Sequence, residues 1–235
     1  MLDEKDFPFL SEKGHVVSLV GGGGKTTLMY NLAVHCARKG WRVLATTTTH
    51  IMQPPGGVWA QTDAQRDALW NSGHYAVAGT AAPGGKLTAP PDGQLRRWMA
   101  QADITLVEAD GAKRMSCKTP AEHEPVILPQ CDTVLAVAGA SALGRPLKEV
   151  CFRAERAAAL LGVLQEAELT PERLAHILAS ESGGRKCADG RRFCVVLNQA
   201  DTEERVRLAG QTAKILWETY QVPCILTHFA EGERA

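Results

Sequence analysis

The chain has 235 residues, of which 45% are hydrophobic and 22% are charged, and its 26 basic residues balance its 26 acidic ones. This length is enough for one α/β domain with a substantial core that needs no disulfide or metal. Without a basic excess, we expect no nucleic-acid or membrane partner. The seven cysteines form no C-x-x-C pair, and neither a signal peptide nor a membrane-spanning apolar run is visible, so we expect a cytoplasmic protein with reduced thiols.

The start of the chain predicts a strand–loop–helix–strand unit. A short apolar strand at 15–20 leads into four glycines, and the helix that follows at 26–39 ends at Gly40. The second strand, at 42–46, leads into a run of threonines. Such a unit normally places its two strands parallel in one sheet through a right-handed crossover.

Further along, strands and helices continue to alternate. The segment 54–91 has a looser pattern, for which we predict two short strands joined by a hairpin around 83–85. The later predictions are helices at 92–102, 147–164, from 171 and at 202–220, with strands at 104–107, 133–138, 193–197 and 222–227. We expect an α/β fold with a mostly parallel, doubly wound sheet. The expected organisation is one nucleotide-binding domain over 1–235 with an irregular insertion around 54–91.

The glycine-rich segment after the first strand is the most informative motif. Glycines allow a backbone to approach phosphate oxygens closely, and the helix start adds a positive dipole end. The segment matches the G-G-x-G-K-T-T form of the dimer-forming (SIMIBI-type) P-loop class, which makes a homodimer an expectation, although Val20 replaces the lysine that precedes this motif in many members. The residues expected to bind GTP or ATP are Gly21, Gly22, Gly23, Gly24, Lys25, Thr26 and Thr27.

Two carboxylates follow the predicted strand at 104–107. A P-loop needs an acidic group near Mg²⁺, usually at the end of a neighbouring strand. Either carboxylate could hold Mg²⁺, directly or through water, or orient an attacking water; we favour Asp110, with Thr26, for the metal and keep Glu108 as a catalytic candidate. The catalytic candidates are Lys25, Glu108 and Asp110. An ordinary polar strand end remains the alternative.

The segment 198–201 resembles the N-K-x-D motif of GTP-binding proteins. Asn198 and Asp201 would then recognise the base, while Gln199 replaces the usual lysine. Asp201 could equally cap the helix that begins near Thr202.

The loop after the two carboxylates is dense in reactive side chains, and a second strand end adds polar groups. Both segments could form a substrate or switch loop near the γ-phosphate. Alternatively, the first is a solvated loop and the second contains threonines that simply favour a strand. The cations of the loop could bind an anionic substrate, and its cysteine and histidine could contact a metal or chalcogen. The candidates are Thr49, His50, Lys113, Arg114, Cys117, Lys118 and His123.

Taken together, these segments resemble the YqeC family of accessory proteins for selenium-dependent molybdenum hydroxylases. The resemblance implies a maturation role that handles the selenium or the cofactor of such a hydroxylase, with the hydroxylase or its cofactor machinery as partner. Our leading interpretation is an NTP-hydrolysing maturation factor. The alternatives are a small-molecule kinase or ATP-dependent ligase, and a nucleotide-dependent interaction module without turnover. The resemblance rests on the segments 20–27, 46–50, 107–114, 117–120, 123–127, 142–147 and 198–201.

Overall fold

The computed structural model describes residues 4–54 and 56–229. The strands are β1 (His15–Gly21), β2 (Val43–Thr47), β3 (His50–Met52), β4 (Trp59–Ala60), β5 (Ala76–Ala78), β6 (Thr80–Ala82), β7 (Lys86–Thr88), β8 (Ile104–Glu108), β9 (Cys117–Lys118), β10 (Thr133–Gly139), β11 (Cys151–Phe152), β12 (Arg192–Asn198) and β13 (Cys224–Leu226). The helices are α1 (Lys25–Arg38), α2 (Asp63–Asn71), α3 (Asp92–Met99), α4 (Leu147–Val150), α5 (Ala154–Leu161), α6 (Pro171–Ala179) and α7 (Glu203–Tyr220). Within the described ranges, no helix is long and apolar enough to cross a membrane.

The central sheet has eight strands in the order β13-β12-β10-β1-β8-β2-β5-β4, and every pairing in it is parallel. Alternate residues of β10 belong to different cores: Ala136 packs with α5, α6 and α7, whereas Leu135 packs with α1. Helices therefore cover both faces, and the prediction of a mostly parallel, doubly wound α/β sheet is confirmed. The predicted apolar side of α1, with Leu28, Leu32 and Cys36, is fully buried.

The segment 56–91 holds more regular structure than its sequence pattern predicts. β4 and β5 extend the central sheet at its edge. β6 and β7 form the predicted hairpin, which continues into β3 as a small antiparallel sheet. α2 begins with a capping box, in which the Thr62 side chain and the Gln65 side chain bond each other's backbone N–H. The number of domains stays a prediction.

The prediction of one continuous helix over 147–164 is wrong. α4 ends at Val150, β11 pairs in parallel with β9, and α5 begins only after Arg153, whose φ is 64°. Cys151 lies opposite Cys117, which is far away in sequence. Helical periodicity carries no information about such a distant pairing, so the interruption could not be seen in the local pattern.

The parallel strands bring their carboxyl ends to one edge of the sheet. β1 ends at the glycine-rich loop, β8 ends at Glu108 and β2 ends at Thr47 on one side of it, and β12 ends at Asn198 on the other side. In open α/β sheets, ligands bind outside this edge, where the strand order reverses. The predicted site residues therefore come from segments that converge here.

Candidate functional site

The glycine-rich loop is held tightly between β1 and α1. A Cβ atom on Gly23 would lie 2.0 Å from the backbone nitrogen of Gly139, so only glycine fits there. The N–H of Gly22 donates to the Val137 carbonyl at 2.8 Å, and the N–H of Gly23 donates to the Met115 carbonyl at 3.0 Å. The loop is thus a fixed backbone cradle in front of the first turn of α1, whose N–H groups are free of helical partners.

Lys25 opens α1 with a buried side chain that points back over the loop. Its Nζ donates to the Gly21 carbonyl at 2.6 Å. It also lies 3.2 Å from Asp110 Oδ1 and 3.8 Å from Glu108 Oε1. The lysine is therefore the shared counter-ion of both carboxylates.

Glu108 is the carboxylate next to Thr26. The Thr26 hydroxyl donates to Glu108 Oε2 at 2.6 Å, and the Thr47 hydroxyl fixes the end of β8 by donating to the Glu108 carbonyl at 2.8 Å. Burial raises the pKa of Glu108, against the opposing effects of the Lys25 charge and the Thr26 hydrogen bond. A hydroxyl and a carboxylate side by side are hard oxygen ligands of the kind that Mg²⁺ binds, so these two residues fit the ion.

Asp110 has different neighbours. Both of its carboxylate oxygens accept from the Gly21 N–H at 3.1 Å, and Oδ2 lies 2.9 Å from Lys118 Nζ. The Lys118 side chain has no exposed surface and also contacts Glu124 Oε2 at 2.9 Å. The structure thus places Glu108, and not Asp110, beside the Thr26 hydroxyl. It also places Lys118 inside the protein between two carboxylates, where it is not open to an external anion.

A cleft of about 1010 Å³ lies over the loop. Five of the predicted substrate-loop residues line it, namely Thr49, His50, Lys113, Arg114 and His123. Cys117 does not line it, because its side chain is buried. Interaction with the thiol of Cys151, opposite it in the strand pair, raises the pKa of Cys117 and lowers that of Cys151. Among the described residues, no group of three or more His, Cys, Asp or Glu side chains is placed to hold a metal ion.

The segment after β12 contacts the loop from the other side. Asn198 Nδ2 donates to the Gly23 carbonyl at 3.1 Å, and Gln199 lines the cleft. Asp201 is about half exposed and pairs with Arg205. The side chain that caps α7 is that of Thr202, which accepts from the Arg205 N–H, so Asp201 is not the N-cap. Recognition of a base by Asp201 stays a prediction.

Among the charged and aromatic residues of the cleft, four were not singled out from the sequence: Lys86, Glu124, Phe152 and Arg153. Phe152 and Arg153 lie within the segment for which a helix interior was predicted, and nothing in the local pattern marks them. Glu124 belongs to the reactive loop, where its charge alone gave no reason to prefer it over Glu122.

The parallel sheet, the glycine loop before α1 and the Lys25–Glu108–Thr26 contacts define a P-loop fold. The family model of the YqeC protein matches residues 17–155. The "Uncharacterized protein YqeC" of Escherichia coli (strain K12) is 30% identical over 192 residues, which cover 73% of this chain and 70% of that protein. The chain belongs to the YqeC family.

One solved structure that matches this chain is that of the hydrogenase maturation factor HypB from Archaeoglobus fulgidus. The match covers 98% of this chain and 90% of that chain, with 12% sequence identity and a TM-score of 0.43. At this TM-score the likeness does not bear on function.

Proposed function

We propose that this protein binds a Mg²⁺–nucleoside triphosphate in the cleft and hydrolyses it. The observation that carries the proposal is the 2.6 Å contact between the Thr26 hydroxyl and Glu108, next to Lys25 at the start of α1. Thr26 and Glu108 would hold Mg²⁺, directly or through water. The ion would supply positive charge to the β- and γ-phosphate oxygens.

Lys25 is proposed to bind the phosphates of the nucleotide. Its ammonium group now neutralises Glu108 and Asp110. With phosphates in the loop, the ammonium would reach toward the β- and γ-phosphates, and a Mg²⁺ ion held by Glu108 and Thr26 would neutralise the Glu108 carboxylate. Asp110 keeps Lys118 as its partner, so we assign it to holding the loop through the Gly21 N–H rather than to the metal.

The base would lie toward β12. Asn198 already braces the loop carbonyl of Gly23, and Asp201 is the proposed acceptor for a guanine edge. GTP and ATP are both candidates. A homodimer across this face, as in the dimer-forming P-loop class, is part of the proposal.

The decisive experiment is calorimetric titration with GTP and ATP, with and without Mg²⁺, together with phosphate release. Glu108→Gln should retain nucleotide binding but lose roughly 10–100-fold in apparent Mg²⁺ affinity. Glu218→Gln, an exposed change on α7, is the control and should match the wild type. Failure to bind either nucleotide contradicts the proposal, and tight binding without phosphate release leaves an interaction module in its place.

The pathway part of the proposal is maturation of a selenium-dependent molybdenum hydroxylase, supported by the resemblance of the sequence motifs to those of such accessory proteins. The test is co-production of a selenium-dependent molybdenum hydroxylase with the wild-type chain or with Lys25→Ala. We expect only the wild type to raise the selenium or molybdenum content of the purified hydroxylase. Equal contents in both preparations would remove the pathway from the proposal without touching nucleotide binding.

A further inference from the structure

The cleft extends well beyond the phosphate loop on one side. Its volume of about 1010 Å³ is at the upper end of the ~300–1,000 Å³ usual for small-molecule sites. Along the sheet edge, Asn198 lies two strands from β1 in one direction, whereas β8 and β2 lie in the other. A base held toward β12 therefore leaves room in the cleft for a second ligand.

The lining of the cleft carries an excess of positive charge. Lys86, Lys113, Arg114 and Arg153 line it. Among the described residues, no acidic side chain forms an ion pair with Lys86, Lys113 or Arg114. Glu124 is already shared between Lys118 and Arg153. An unneutralised cationic wall attracts an anionic ligand.

Arg153 is held in place by a chain of buried charges. Its Nη1 lies 2.6 Å from Glu124 Oε2, Glu124 is 2.9 Å from Lys118, and Lys118 is 2.9 Å from Asp110. The guanidinium carbon lies 4.4 Å from the centre of the Phe152 ring, which further fixes its plane. A guanidinium has five N–H donors, and this one is oriented before any ligand arrives.

Lys113, in the neighbouring loop, faces the same aromatic ring, and Arg114 follows it in the chain. Both have left-handed backbone conformations, with φ of 47° and 64°, which non-glycine residues rarely adopt. Lys113 Nζ lies 5.1 Å from the centre of the Phe152 ring, and Arg114 is exposed to the cleft. The loop thus brings Lys113 to the ring that Arg153 also contacts, and it exposes Arg114 in the same cleft.

From this arrangement we infer a second ligand subsite, lined by Lys113, Arg114, Phe152 and Arg153, for a small organic anion that carries phosphate or carboxylate groups. The guanidinium group of arginine binds phosphate and carboxylate groups through paired N–H donors. The inference rests on the proposed function, since the nucleotide would fill the other part of the cleft. Lys118 is not part of this subsite, because Asp110 and Glu124 already neutralise it.

The experiment is an NMR titration of ¹⁵N-labelled protein saturated with Mg²⁺ and a non-hydrolysable triphosphate. Inorganic phosphate and malonate are the two probes, added separately. The readout is the Nε–Hε signals of Arg114 and Arg153, with Arg96, an exposed arginine of α3, as the internal reference for general ionic effects. We expect saturable shifts at Arg114 and Arg153 with at least one probe, and only a small, linear drift at Arg96.

Saturation by phosphate alone identifies a phosphorylated ligand, and saturation by malonate alone identifies a carboxylate. Arg114→Gln should weaken binding seen at Arg153 by about 10-fold, since one charge-assisted hydrogen bond is lost. Arg96→Gln should leave it unchanged. Shifts at Arg114 and Arg153 that only follow those of Arg96 overturn the inference.

The same spectra separate this inference from the nucleotide proposal. Triphosphate or phosphate in the loop shifts the backbone amides of Gly23 and Gly24, whereas an anion in the second subsite shifts Arg114 and Arg153. If the glycine amides do not respond to the triphosphate, nucleotide binding fails. The arginine signals still decide the second subsite on their own.

Discussion

Glu108 and Asp110 are two residues apart and share Lys25, but only Asp110 also contacts Lys118. The Lys118 side chain has no exposed surface, and Asp110 and Glu124 each lie 2.9 Å from its ammonium group. Asp110→Asn would leave that buried charge with Glu124 alone, so we expect the free energy of unfolding to fall by about 3 kcal/mol. Urea denaturation measures the change.

The matched control for this prediction is Asp92→Asn. Asp92 forms an exposed ion pair with Arg96 on α3, and such pairs contribute about 0–1 kcal/mol. If Asp110→Asn costs no more than the control, then Glu124 compensates Lys118 fully and Asp110 becomes available for another role, including that of a metal ligand.

Glu124 gives the protein a predictable response to acid. Burial alone would raise its pKa, but hydrogen bonds from Lys118, the Ala121 N–H and Arg153 outweigh it and lower the pKa to about 2. A carboxylate with a depressed pKa stabilises the fold above its unfolded pKa, and this contribution is lost as the pH falls toward the folded one. Glu124→Gln should therefore be less stable than the wild type at pH 7.

The pH dependence of that difference is the test. We expect the gap in unfolding free energy between the wild type and Glu124→Gln to narrow steadily from about pH 4.5 toward pH 2. Glu218→Gln, on the exposed side of α7, should show no such narrowing. A gap that stays constant over this window would show that the ion pairs of Glu124 add no stability.

At the level of elements, two neighbouring residues at the start of α7 have different roles, one structural and one proposed to be functional. The Thr202 hydroxyl caps the helix, whereas Asp201 forms only an exposed pair with Arg205. Thr202→Ala should lower the free energy of unfolding by about 1 kcal/mol. Asp201→Ala should cost about 0.3–0.5 kcal/mol, the usual value of an exposed i,i+4 pair.

Because Asp201→Ala leaves the fold nearly intact, it tests base recognition cleanly. We expect it to remove any preference for GTP over ATP in the calorimetric titration. An unchanged preference for GTP in Asp201→Ala would show that another group recognises the base. A large loss of stability would mean that Asp201 supports the helix after all.

The elements that the sequence predicts well are those whose signals are local. α6 begins with Thr170 as N-cap and Pro171 in its first turn, as its sequence indicates. The glycine loop and α1 likewise follow from adjacent residues. The break at Arg153 and the choice of Glu108 over Asp110 beside Thr26 depend on pairings between distant strands, such as Leu19 with Glu108, and no local pattern contains them.

At the level of the whole molecule, the loop is attached to several parts of the central sheet at once. Gly22 bonds to β10 through Val137, Gly23 bonds to the 111–126 loop through Met115, and Asn198 of β12 bonds to Gly23. A ligand that binds this loop should therefore stabilise the whole sheet and not one local segment. We expect Mg²⁺–nucleotide to shift one cooperative thermal transition, as a single domain predicts.

The size of that shift follows from mass action. At a ligand concentration of about 100 times Kd, binding adds about 2.7 kcal/mol to the free energy of unfolding. For a domain of this size, that corresponds to an increase in Tm of about 5–10 °C. Lys25→Met should abolish the increase that the nucleotide adds over Mg²⁺ alone, because the ammonium proposed to reach the phosphates is gone. Lys148→Met, which removes an exposed partner of Glu166, should retain it.

Lys25→Met should also change the protein without ligand. It removes the shared counter-ion of Glu108 and Asp110. Glu108 then keeps the hydrogen bond from the Thr26 hydroxyl but loses its ion pair. The unliganded variant should therefore have a lower Tm than the wild type, and Mg²⁺ alone should recover part of the loss by binding Glu108 and Thr26. A Lys25→Met protein that Mg²⁺ does not stabilise would argue against Glu108 as the metal-side carboxylate, since that carboxylate would then have lost its cation without accepting another.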